Sequence, residues 1–276
     1  MLIAPKVHQL TVGQPAFVGV QPPNVYLVTG SDGAAFIDTS FGRDEDFEAQ
    51  VGLWESVGRP KMSAIVLTHR HHDHIGGASR LQAASGGEII SSKAEKGPIE
   101  AEPRGPQVSM AVSDGDTLDL GGATLQFVEA PGHTLGSLCV FHKEEGILFT
   151  GDTVLGKGST SISPDQGDMA LYIRSLERLI GLDSSMIAPG HGPVVDQPRS
   201  KLEVLIRHRL ERESQILGLL RDGSRSIDDL FGAMYPELDN RLQGSAKGQI
   251  RSHLIKLERD ERIVPSRNGD GGYELA

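Results

Sequence analysis

Thr68-His69-Arg70-His71-His72-Asp73-His74 carries the reading of this chain. The stretch is an H-x-H-x-D-H array in which three histidines and a carboxylate stand almost side by side. Such groups cannot all enter a core unpaired, because each would cost several kcal/mol. They need a partner. Imidazole and carboxylate ligands at this density suit zinc, or iron or manganese as substitutes, held ~2.0–2.2 Å from the metal. His72 falls on an x position and is given no ligand role.

Outward from the array, short β-branched or apolar runs alternate with glycine-rich turns from Val25 to about Val195, with amphipathic helical stretches between them. That is an α/β pattern. The runs Ala35-Phe36-Ile37, Ala64-Ile65-Val66-Leu67, Leu125-Gln126-Phe127-Val128, Ile147-Leu148-Phe149 and Met186-Ile187-Ala188 are followed within a few residues by Asp38, His69, His133, Asp152 and His191 respectively. A strand buried on both faces is apolar throughout, so a polar side chain at its end sits at the rim of the sheet, where loops gather such groups. One rim is expected to form one site. Gly76, Gly77, Gly132, Gly151, Gly190 and Gly192 stand close to these residues and permit sharp reversals or close backbone approach.

The 276 residues suffice to bury a core without staples. The lone Cys139, inside an apolar run, excludes an intramolecular disulfide and reads as a small buried hydrophobe in a reducing compartment. Met1 to Leu10 shows neither a secretory nor a transit pattern, and no apolar stretch approaches the ~18 residues a membrane helix needs, so a cytoplasmic protein without a membrane partner is expected. The net charge of −10 argues against a general nucleic-acid binder. The charge is uneven: residues 199–262 carry 13 Lys and Arg against 11 Asp and Glu, so the acidic excess lies before residue 199, where metal ligands are wanted.

The array, with Pro131-Gly132-His133-Thr134, Phe149-Thr150-Gly151-Asp152 and Pro189-Gly190-His191-Gly192, resembles the metallo-β-lactamase superfamily over about residues 20–198. The resemblance implies a four-layer αβ/βα sandwich and a centre of two Zn²⁺ ions per chain, with Fe or Mn as substitutes. In it, His69, His71 and His133 correspond to the ligands of the first metal, Asp73, His74 and His191 to those of the second, and Asp152 to the carboxylate bridging both. Asp38 resembles the aspartate that orients a ligand histidine. Two cations ~3.5–4 Å apart repel, and a bridging carboxylate plus a bridging hydroxide offsets the repulsion. Water on such a centre has its pKa lowered to roughly 7, so a metal-bridging hydroxide nucleophile, oriented by Asp73 and Asp152, needs no dedicated protein base.

After Pro198 the character changes. A charged helix over Lys201–Leu220, with Leu202, Leu205, Ile206, Leu210, Ile216 and Leu220 as its apolar residues, precedes a helix from an N-cap at Ser226 to Met234 and another from Ala246 to Glu261. Ile263-Val264 and Tyr273-Glu274-Leu275, separated by Asn268-Gly269-Asp270-Gly271-Gly272, read as a hairpin. Residues 1–198 are thus expected to form the catalytic domain and residues 199–276 a winged-helix-like α domain, which reads as a cover for the cleft or a packing element. Its mixed-charge last helix suits duplex DNA poorly.

Within the superfamily, a secreted β-lactamase is disfavoured by the aspartate at 152, and the flavo-diiron branch by His71, where that branch carries glutamate. Residues 153–190 are too few for the inserted domain of the large RNA-processing nucleases. The segments Gly151–Thr160, Tyr172–Leu176, Pro189–Val194 and His208–Leu217 are similar to the beta-lactamase-like protein 2 group and its bacterial relatives, which are glyoxalase II-like hydrolases. That resemblance implies an endoribonuclease acting on single-stranded RNA. The alternative is a thioesterase or glyoxalase II-like carboxylic (thio)ester hydrolase acting on a small molecule. A non-catalytic nucleic-acid-binding scaffold is a third reading, against which the intact ligand set argues. Lys157, Arg174, His208, Arg209 and Arg212 are the candidate substrate contacts; a solvated helix face with an interdomain salt bridge accounts for them equally well.

Overall fold

Val25 to Val28, Ala34 to Ile37 and Ala64 to Val66 are buried without interruption, which commits them to the middle of a sheet covered on both faces. In the computed structural model, which describes residues 1–15, 21–223, 225–266 and 271–276, they lie at the centre of a seven-stranded sheet. Its strands follow chain order: β1 (Leu2–Ala4), β2 (Val7–Thr11), β3 (Asn24–Thr29), β4 (Ala34–Ile37), β5 (Met62–Val66), β6 (Glu88–Ser92) and β7 (Met110–Val112). The first four meander antiparallel, and β4 to β7 run parallel. Parallel neighbours require crossovers. These are α1 (Asp44–Ser56), the pair α2 (His72–Ile75) and α3 (Ala78–Ser85), and α4 (Lys93–Ala101).

The second sheet has five strands, β8 (Thr117–Asp119), β9 (Thr124–Glu129), β10 (Leu138–His142), β11 (Ile147–Gly151) and β12 (Met186–Pro189). The first four pair antiparallel in succession. β12 is parallel to β11, joined to it through α5 (Met169–Ile180). The sheets face one another across a core in which Tyr26, Ile37 and Val66 meet Leu125, Phe127, Val140 and Phe149. The rings of Tyr26 and Phe149 cross that boundary edge to face at 5.0 Å. Trp54 on α1, Leu81 on α3 and Ile99 on α4 cover the outer face of the first sheet. Tyr172 and Leu176 on α5, with Leu202 and Leu205 on α6 (Pro198–Leu220), cover that of the second. The layers are therefore helix, sheet, sheet, helix, as expected.

α6 continues past this sandwich. Its far half contributes Ile216 and Leu220 to a separate core with Leu230 of α7 (Ile227–Met234), Ile250 and Leu254 of α8 (Gln243–Arg259) and Ile263 of β13 (Ile263–Pro265). β13 pairs antiparallel with β14 (Tyr273–Leu275), which completes the winged-helix arrangement. Ser226 caps α7 as expected, its hydroxyl accepting from Asp229 N–H. Asn268, Gly269 and Asp270 of the expected hairpin turn lie outside the described residues. α6 begins at Pro198 rather than Lys201; proline at the first helical position sacrifices no hydrogen bond. Cys139 is buried on β10. No helix among the described residues is long and apolar enough to cross a membrane.

Candidate metal centre

Five strands deliver the polar residues from their C-terminal ends. Asp38 follows β4 and adopts a left-handed backbone (φ 61°), which aspartate tolerates better than most residues. Thr68 and His69 follow β5. The chain then turns into α2 just after His71, so Asp73 and His74 stand on that single helical turn. His133 follows β9, Asp152 follows β11, and His191 lies just beyond β12.

The structure brings His69, His71, His133 and Asp152 together in one group and Asp73, His74 and His191 in a second. In the first, His69 Nε2 and His133 Nε2 lie 2.9 and 3.1 Å from His71 Nδ1. In the second, His74 Nε2 is 3.2 Å from His191 Nε2, which is 3.4 Å from Asp73 Oδ2. Asp152 stands between the groups: Oδ1 is 3.4 Å from both His74 Nε2 and His191 Nε2, and Oδ2 is 3.8 Å from His133 Nε2. Donor atoms ~2.0–2.1 Å from a tetrahedral ion stand about 3.3 Å apart, which these spacings approach. Asp152 Oδ1 is buried with no hydrogen-bond partner among the described residues. An orphaned carboxylate oxygen among converging imidazole nitrogens fits a cation.

The nitrogens facing away are all engaged. His74 Nδ1 is 2.7 Å from Asp38 Oδ2, and the Asp38 carboxylate also accepts from Thr68 N–H and Thr68 O–H at 2.9 Å each. Thr68 Oγ1 in turn lies 3.0 Å from His69 Nδ1. His71 Nε2 meets Gln166 Oε1 at 2.8 Å, His133 Nδ1 meets Ser161 O at 2.9 Å with Thr160 Oγ1 at 3.0 Å, and His191 Nδ1 meets Gln21 O at 2.7 Å. Acceptors at these positions fix the tautomers that turn lone pairs inward. Thr68 is legible in the array itself; Gln166, Thr160, Ser161 and Gln21 carry no sequence signal.

Burial holds the His69 imidazolium well below its usual range and lowers His133 to about 4, so both are neutral, as ligands must be. Burial opposes ionisation of Asp152, but the positive charge of His74 and His191 outweighs it and keeps the carboxyl well below its ordinary value. His74 shifts upward: burial disfavours its charge, yet Asp38, Asp152 and Asp73 surround it. Asp38, Asp73 and Asp152 thus concentrate negative charge in the pocket, which a cation would balance.

The candidate substrate contacts fare differently from the ligand set. Arg209 is only 2% exposed; its Nη2 donates to Thr160 O at 2.7 Å and its guanidinium lies 5.2 Å from the Tyr172 ring centroid, so it is a buried structural cation. Arg212 donates to Gln215 Oε1 and stacks over Tyr235 at 5.0 Å. His208 is half-buried, and its pKa is lowered by burial and then by the charges of Arg209 and Arg212, which leaves it neutral near pH 7 and a poor phosphate contact. Lys157 and Arg174 are exposed. Within the array, Arg70 turns away from the centre and pairs with buried Glu95 at 2.7 Å, and His72 packs on Phe41.

Residues 18–191 match the family described as the metallo-beta-lactamase superfamily. The chain belongs to that superfamily. Its members are usually hydrolases. Residues 226–271 match the beta-lactamase associated winged helix domain. This metallo-β-lactamase superfamily chain is 29% identical to the beta-lactamase-like protein 2 homolog of Drosophila melanogaster, covering 98% of this chain and 96% of that one. It is 28% identical to the atrochrysone carboxyl ACP thioesterase of Aspergillus fumigatus, over 95% of this chain and 84% of the relative. The crystal structure of a beta-lactamase domain protein from Burkholderia ambifaria superimposes with a TM-score of 0.87 at 21% identity, covering 100% of this chain and 93% of that one, and supports the fold.

Proposed function

We propose that the chain is a dinuclear metal-dependent hydrolase of thioesters or other carboxylic esters. The observation that carries this reading is the convergence of six histidine and aspartate side chains with Asp152, whose buried Oδ1 has no hydrogen-bond partner among the described residues. The donor set suits zinc, with iron or manganese as substitutes. Two such ions, held by the His69, His71, His133 and Asp152 group and by Asp73, His74 and His191, would supply an acidified water as nucleophile and positive charge for the oxyanion of the transition state. Asp152, facing both groups, and Asp73, at the edge of the second, would hold the ions and orient that nucleophile. Asp38 keeps His74 in the tautomer with Nε2 free. Residues 1–198 form the catalytic unit, and residues 199–276 the appended module.

The preference for an ester over RNA rests on two observations. A relative over nearly the whole chain bears a thioesterase name. Arg209, which an RNA substrate would call upon as a phosphate contact, is buried and bonded to Thr160 O, and the half-buried Arg212 is engaged by Gln215 and the Tyr235 ring. The deciding experiment incubates zinc-reconstituted protein with acyl-glutathione and acyl-carrier thioesters and, separately, with labelled single-stranded RNA. Thioester turnover that vanishes in Asp73→Ala is expected. RNA cleavage with intact thioesters rejects the ester reading, and fewer than about two ions per reconstituted chain rejects the dinuclear one and revives a scaffold role.

A further inference from the structure

Residues 160–162 lie in an irregular stretch between β11 and α5, so their position is set by what touches them. Three successive carbonyls are taken by side chains. Thr160 O accepts from Arg209 Nη2 at 2.7 Å and from Gln249 Nε2 at 3.0 Å. Ile162 O accepts from Ser252 Oγ at 2.7 Å. Between them, Ser161 O faces His133 Nδ1 at 2.9 Å, and Thr160 Oγ1 reaches the same nitrogen at 3.0 Å. One side of the segment is thus gripped by α6 and α8, while the other holds an imidazole of the candidate metal centre. Ser161 Oγ adds a contact to Ser245 Oγ on α8 at 3.1 Å.

We propose that the C-terminal module is a positioning element for the first metal: Gln249, Ser252 and Arg209 clamp residues 160–162 and thereby fix the His133 imidazole. This rests on the dinuclear reading above. The clamp is one-sided. The outer nitrogens of the second group's histidines, His74 and His191, are held by Asp38 and Gln21, which belong to the sandwich. Neither has a partner on α7 or α8 among the described residues. Loosening the clamp therefore weakens one ion and spares the other, which general destabilisation would not do. Partners behind a ligand histidine are worth roughly 10–100-fold in metal affinity.

The test titrates metal-free protein with Zn²⁺ against a chromophoric chelator, resolving two binding steps. In Gln249→Leu combined with Ser252→Ala, one step weakens at least about tenfold and the other keeps its wild-type constant. Lys247→Met, which removes an exposed-side contact of α8 to Asp228 and leaves the clamp intact, behaves as wild type. Two unchanged steps, two equally weakened steps, or the same loss in Lys247→Met overturn the proposal. Wild-type protein that binds no zinc instead overturns the dinuclear reading. A second measurement, amide hydrogen exchange in the metal-free single variant Gln249→Leu, shows faster exchange at residues 160–162 and unchanged exchange at residues 38 and 68; unchanged exchange throughout also refutes the clamp.

Discussion

Asp38→Asn isolates the orientation of a ligand from the shape of its surroundings. Asparagine fills the same volume and tolerates the left-handed backbone at this position. Its amide oxygen can still accept from Thr68 N–H, but an NH₂ group must replace the oxygen that accepts from Thr68 O–H and His74 Nδ1. An NH₂ cannot accept, so the imidazole must, and its proton moves to Nε2. That nitrogen faces the centre, 3.2 Å from His191 Nε2 and 3.4 Å from Asp152 Oδ1, and once protonated it cannot ligate. The lost bond to a carboxylate is worth about 1.5–3 kcal/mol, and zinc affinity at the Asp73, His74 and His191 group should fall about 10–100-fold. Asp38→Ala differs in kind: it strands three buried donors at about 1–3 kcal/mol each, so it should lose on the order of 3 kcal/mol of stability or more. Chelator-competition titration of folded Asp38→Asn, paired with denaturant unfolding of both variants, measures these effects separately. An Asn variant that loads both ions with wild-type constants, or that weakens only the His133-containing group, refutes the reasoning.

Gly190→Ala should disrupt the centre directly, because a Cβ there would stand 2.6 Å from Asp152 Oδ1 and 2.8 Å from His74 Cε1; metal content and turnover should both collapse, and retention of two ions would contradict it. Burial pushes the Cys139 thiol up to about 12, so it should resist a thiol-specific chromogenic reagent at pH 8 in the native protein and react once unfolded. Burial works against the Glu213 carboxylate, yet its bonds to His253 and Lys256 hold its pKa below the ordinary 4.5. The stabilisation is therefore present above pH 4.5 and is lost as pH falls through the folded-state value; Glu213→Gln should cost on the order of 1–3 kcal/mol near pH 7, with the gap to wild type closing in acid unfolding curves. Free zinc at 100 times the dissociation constant should stabilise by about 2.7 kcal/mol per site, so a chelator should lower the melting temperature measurably.

The candidate ligands can be read from the sequence because most are scarce residue types at a strand end, and a strand end is a local property. Asp38, His69, His133, Asp152 and His191 each follow an apolar run that the structure shows as β4, β5, β9, β11 or β12. The groups behind the ligands cannot be read in the same way. Gln166 and Ser161 reach His71 and His133 across long sequence separations, and an ordinary glutamine or a backbone carbonyl leaves no pattern.

Arg209 is the instructive case between these extremes. In composition it belongs to a basic helix and suggests a phosphate contact, but by position it lies seven residues after Leu202 and seven before Ile216, on the stripe that α6 buries. Leu210, counted by sequence among the apolar residues, is 46% exposed, whereas Arg209 and Glu213 are buried. Helical phase therefore decides more than residue class. An isolated buried charge is costly unless it is satisfied, so a cation on an apolar stripe signals an acceptor beneath it, and here that acceptor is Thr160 O. A helix shared by two cores must pass over the seam between them. The seam is where irregular backbone such as residues 160–162 leaves carbonyls to be satisfied, and polar residues on the buried stripe of α6 are the sequence mark of that crossing.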